Sequence, residues 1–272
     1  MDGIVEVVAR RMFGLPYIIM DSIFIVFFCV MLFVTKRRQT LLFALFGGVL
    51  YFLVDYCIFH LLTHSRHIEN GNLFWVLVWM SMSYGITNFA WIWLCLRKDE
   101  RLAEWTLLIF VWWLVCPILD DAFSGDAPQI VIWRETGEYH WFMALFMVVS
   151  YMAVIVWNLL RKNPKQRFRI LWLFVIGVAV QFGWEFTLLI GGIRSEGMPL
   201  TEQIKTLVVN SLMETNLGLP AIYCIYLFFS SRFTEACKRR ETPTTFLGRL
   251  EESNDGIRVC CLLYTSDAAD DK

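Results

Sequence analysis

The stretch 170-ILWLFVIGVAVQFGWEFTLLIGG-192 decides the fold. It carries one ionisable side chain, Glu185, and exceeds the roughly 20 apolar residues that a helix rising ~1.5 Å per residue needs to cross a bilayer core. Six more runs of this kind lie on either side, at 17–35, 41–62, 73–96, 102–119, 141–160 and 206–230. The fourth is the shortest; it contains Pro117 and opens beside Glu104. Composition agrees, since 57% hydrophobic residues, 16% aromatic residues and a mean hydropathy of +0.54 lie far from the balance of a soluble domain. The expected fold class is all-α, a polytopic membrane protein of seven transmembrane helices whose solvent is the lipid bilayer. Nothing in this pattern points to a nucleic-acid partner. No cleavable leader is expected, because no short apolar core precedes a small-residue cleavage site.

Loop charge orients the chain. Fifteen basic residues fall on one side: Lys36, Arg37, Arg38, Arg97, Lys98, Arg101, Arg161, Lys162, Lys165, Arg167, Arg169, Arg232, Lys238, Arg239 and Arg240. The other side holds six, namely Arg10, Arg11, Arg66, Arg134, Arg194 and Lys205. The expected topology is amino terminus outside and carboxyl terminus inside, in the plasma membrane. Residues 1–16 then form an extracytoplasmic segment, 17–230 the membrane domain and 231–260 a basic cytoplasmic tail. Residues 261–272 are expected to be non-native, because Cys261 to Asp271 reads as an in-frame translation of a sequencing-library adapter. The cysteines inside spans, Cys29, Cys57, Cys95, Cys116 and Cys224, stand singly and read as small hydrophobes.

Acids inside spans are the candidate chemistry, since ionisable groups at membrane depth are costly. Counting ~1.5 Å per residue from the outer helix ends puts Asp21 about 6 Å deep, Asp55 and Glu185 about 10 Å, and Glu214 about 12 Å. Helical spacing gives each deep acid a polar or small stripe. Gly177, Gln181 and Glu185 share a face, as do Asn210, Glu214 and Gly218, and likewise Gly48, Tyr51 and Asp55; Ser81, Tyr84 and Asn88 form a fourth stripe. The plainer account is that such stripes are helix–helix seams. That account fits the glycines and Ser81 better than it fits Asp55, Glu185 and Glu214, for which the spans contain no basic partner. Unpartnered acids must be protonated, share a proton or meet a cation. Asp21 is shallow enough to be simply hydrated.

Two further features bear on function. His60, His64 and His67 follow at i, i+4 and i+7, which on a continuous helix aligns three imidazoles as a candidate metal site, with Asp120 or Asp121 as the acid. The plainer account is interfacial histidines facing water. In Met213-Glu-Thr-Asn-Leu-Gly-Leu-Pro220, the proline predicts a bend or break within a turn of Glu214. Broken helices at membrane depth are where transporters place their sites.

Helices 1–3 and 5–7 share orientation, with helix 4 as an inverting linker, and 40-TLLFALF-46 with Asp55 is similar to 169-RILWLF-174 with Glu185. Over residues 17–230 this plan resembles the three-plus-one-plus-three arrangement of SWEET-type sugar carriers and nicotinamide-riboside carriers, whose two three-helix bundles enclose a solute path. The resemblance is of plan alone: no proline–glutamine pair of the PQ-loop kind is present, and no residue is carried over from those families. The reading favoured is a transporter of a small polar or cationic solute. Asp55, Glu185 and Glu214 would be its proton or cation sites, and Tyr84, Asn88, Gln181, Asn210 and Asn216 its hydrogen-bonding contacts. A seven-helix sensor or receptor fits the topology equally, and an intramembrane metal-dependent enzyme built on the histidines is the third class. The sequence does not identify a cofactor.

Overall fold

The computed structural model describes residues 10–125, 127–135, 140–161, 169–194 and 197–233. The tail 231–260 from residue 234 onward, and all of 261–272, lie outside the described residues. Seven helices long and apolar enough to cross a membrane account for nearly all of the fold. They are α1 (Leu15–Val34), α2 (Arg38–Phe52, continued as a π-helix over Leu53–Leu62), α3 (Leu73–Arg97), α4 (Leu102–Ser124), α5 (His140–Leu160), α6 (Ile170–Ile190) and α7 (Leu200–Phe233). Among the described residues there are also three short strands: β1 (Arg11–Phe13), β2 (Arg66–Glu69) and β3 (Ile130–Arg134).

α4 runs through Pro117 to Ser124, five residues past the expected end. α7 begins at Leu200 and continues as helix through Pro220, so of the predicted bend or break near Glu214 the break is corrected: the helix does not unwind there. A proline removes one amide donor, and its other consequences depend on how neighbouring helices hold the turn. The irregularity lies in α2 instead, whose last ten residues form wide turns around Asp55. Short π-helical insertions of this kind recur at functional sites.

α3 is the central helix, with 67% of its span buried, while α5, at 6%, sits on the perimeter with its apolar side chains outward. Close seams form where side chains are smallest. A Cβ on Gly85 of α3 would stand 2.7 Å from the Gly48 Cα of α2, and one on Gly47 would fall inside the Phe89 ring. Gly177 of α6 likewise leaves room only for Asn216 of α7. For these glycines the seam account holds.

The strands form one antiparallel sheet in the order β1-β3-β2, across the end of the bundle where α2, α4 and α6 finish. Register sets Arg66 opposite Arg134 and Ile68 opposite Ile132; an isolated bridge adds Arg194 opposite Arg11. Side chains opposite each other in an antiparallel pair share a face. This sheet therefore presents two pairs of facing arginines, together with the buried Phe13, Ile130 and Ile132. The Asp120 carboxylate fastens the adjoining start of α1, accepting from the Gly14 amide at 2.7 Å and the Tyr17 amide at 3.0 Å. It thus satisfies donors that a helix start leaves open. At the opposite end, the buried Arg37 grips Asp99 through two 2.9 Å hydrogen bonds.

Candidate functional site

Facing like charges destabilise a sheet unless something neutralises them. Here the three deep acids do so. Arg66 donates to Asp55 at 2.7 Å, Arg134 to Glu214 at 3.1 Å, and Arg194 to Glu185. Arg11 stands 4.0 Å from Glu185 and lies 5.9 Å from the centres of the Tyr84 and Trp184 rings. The expectation of acids without basic partners is therefore corrected. Their partners come from the strands and from the segment after α6, where a count made span by span does not look.

The polar stripes predicted on α6 and α7 do meet. Gln181 Nε2 donates to Glu185 at 3.1 Å and to Glu214 at 2.7 Å, while its Oε1 accepts from Thr215 at 2.7 Å. Asn210 is a further polar neighbour of Glu185. Tyr84 donates to Asp55 at 2.5 Å, and Arg134 is close enough to act electrostatically on both Asp55 and Glu214. Asp55, Glu185, Glu214, Gln181, Asn210 and Tyr84 thus belong to one network with four arginines, buried except at Glu214 and at Arg11, Arg134 and Arg194, which are half-buried. Burial opposes the charge on Arg66, yet Asp55, Tyr84 and Glu214 together outweigh it and raise its pKa above the usual arginine value. For Arg194, burial outweighs the pull of Glu185, and with Arg11 beside it the pKa is held below that value.

Two predicted contacts fall elsewhere. Asn216 accepts from Tyr151 at 2.6 Å and donates to the Leu212 carbonyl at 3.1 Å, so its amide is used in the α5–α6–α7 seam. Asn88 is buried, and its Oδ1 lacks a hydrogen-bond partner among the described residues.

The histidine stripe is not formed. His60 lies in the wide turns ending α2, His64 follows the helix with a left-handed φ of 52°, and His67 lies in β2. The i, i+4, i+7 argument needs a regular helix through residue 67, and this one ends at Leu62. Among the described residues no three His, Cys, Asp or Glu side chains are grouped to hold a metal ion. Asp120, one of the two acids suggested for such a site beside Asp121, is occupied with the start of α1.

The sequence reading also passed over Asp21. It is 2% exposed rather than hydrated, and it accepts from Trp79 at 3.1 Å and Trp112 at 3.0 Å. Near it a cavity of about 10 Å³ is lined by Arg11, Tyr17, Trp79, Ser83, Tyr84 and Trp184. That is room for about one water, so this conformation has no space for a solute between the sheet and Asp21. No protein family, curated protein or solved structure matches this chain.

Proposed function

We propose that the protein is a plasma-membrane carrier of a small polar solute, described here in a state closed at the sheet end. On the loop-charge bias that end faces outward. The observation that carries the reading is the charge network. Arginines from outside the spans hold carboxylates from three helices, Asp55 on α2, Glu185 on α6 and Glu214 on α7. Such pairs cost several kcal/mol per ion to bury and add little net stability over apolar packing. They suit a closure that must re-form specifically after opening, because separated partners are readily hydrated. Since each acid already has a guanidinium, the solute is small and polar but need not be cationic.

A two-unit plan supports the carrier reading. α2 packs on α3 as α6 packs on α7, α1 on α3 as α5 on α7, and α2 touches α7 as α3 touches α6. Asp55 and Glu185, Gly47 and Gly177, and Tyr84 and Glu214 are related by one constant offset in the sequence. The arginines that close on the first pair of acids follow them by 11 and 9 residues. The test is purification of the full chain, a thermal-stabilisation screen with sugars, nucleosides and small amines, and then uptake of any hit into liposomes. Accumulation that is lost in Arg134→Gln supports the carrier. Stabilisation without uptake would transfer the protein to the receptor class, and no stabilisation by any solute would sink both.

A further inference from the structure

Of the buried or half-buried acids at or near the sheet end, Asp21 alone has neither a cation nor a backbone amide as its partner among the described residues. Asp55, Glu185 and Glu214 meet arginines, and Asp120 meets backbone amides. Among the described residues no Lys, Arg or His lies within ion-pair distance of Asp21, and both carboxylate oxygens are instead taken by neutral donors. Oδ2 accepts from Trp79 on α3 and Oδ1 from Trp112 on α4. Ser83, one helical turn beyond Trp79, is a further polar neighbour. The other ionisable groups nearby are Tyr17 on α1 itself, Cys116 and Asp120 on α4, and Arg11 of β1, which with Asp21 acts on Tyr17. None supplies Asp21 with a positive partner in contact.

A full negative charge held by two indoles in a low-dielectric wall is marginal, because burial disfavours the ionised form while charge-assisted hydrogen bonds favour it. The neutral acid keeps both indole bonds in weaker form and frees the site of its desolvation cost. A metal ion fits poorly, since both oxygens already face N–H hydrogens, which repel a cation. A proton needs only one remaining lone pair, and Ser83 Oγ is the neighbour able to accept from the resulting hydroxyl.

We propose that Asp21 is a reversible proton-binding site whose occupancy sets how firmly α1 is held to α3 and α4. Ionised, it draws both indoles into strong hydrogen bonds; protonated, it relaxes them. The proposal does not depend on the carrier reading, and its test uses no solute.

The test is infrared difference spectroscopy of the full-length protein in lipid nanodiscs, titrated from mildly acidic to alkaline pH. The expected result is one carboxylic-acid C=O band that vanishes on alkalinisation, is missing in Asp21→Asn, and persists in Glu185→Gln and Glu214→Gln. Trp112→Phe should retain the band and move it to higher frequency, because a hydrogen bond to the carboxyl is lost; this variant decides the matter if Asp21→Asn does not fold. A spectrum without such a band, a band that never titrates, or one indifferent to both Asp21→Asn and Trp112→Phe would overturn the proposal and leave Asp21 a fixed tether.

Discussion

Glu185 and Asp21 are equally hidden, each 2% exposed, and they are held by opposite means. Glu185 sits among Arg194, Arg11 and Gln181, so its surroundings specify a charge. Asp21 sits between two indoles, which specify a position and direction but accept either protonation state. The contrast shows that depth in the membrane does not by itself assign a role to an acid. What stands against it does: for Glu185, arginines from outside the spans together with Gln181 of α6; for Asp21, two indoles from α3 and α4.

The comparison breaks most visibly at an arginine. Arg66→Ala leaves Asp55 buried without its cation and should cost about 3–5 kcal/mol, read as a large fall in melting temperature in detergent or nanodiscs. Pairing it with Asp55→Leu should recover most of the loss, since removing both charges removes the desolvation cost as well. If Arg66→Ala proves neutral, the guanidinium network is not what neutralises the acids. A smaller loss is expected for Tyr84→Phe, which deletes one donor to an ionised carboxylate, at about 1.5–3 kcal/mol. Because Asp55 keeps Arg66, that loss should be the same at neutral and mildly alkaline pH; strong pH dependence there would make Asp55 resemble Asp21 and erase the contrast. The smallest effect is expected at the histidines. Zinc should leave the melting temperature of the native protein unchanged, and His64→Ala should shift stability by no more than about 0.5 kcal/mol. Stabilisation by zinc that His64→Ala abolishes would restore a metal site that the described geometry does not assemble.

How far the sequence could be read follows from the range of the interactions involved. The spans were legible because hydropathy is a local sum, and all seven expected runs coincide with helices to within a few residues at most ends. Gly177, Gln181 and Glu185 were legible as a stripe because helical periodicity is equally local. The wide turns of α2 were not, since nothing in Leu53–Leu62 differs in kind from an ordinary apolar helix. β3 carries the β-branched composition of a strand in Ile130-Val-Ile-Trp-Arg134, but it is short and its partners are far away in the chain. The ion pairs were the hardest to foresee. Arg134 and Glu214 are separated by 80 residues, and Asp21 and Trp112 by 91, so only the assembled bundle brings them together.

The seat of α1 on Asp120 has a consequence for the order of biosynthesis. The Gly14 amide and the carboxylate that receives it are separated by 106 residues, and the acceptor belongs to α4, three helices later in the chain. At about 5–20 residues per second, α1 waits on the order of 5–20 s with its first amides served only by water. Through that interval its leading turn must stay at the headgroup level, where water can reach it. α1 is thus fixed only once α4 has been made, and its register is set by a residue translated long after it.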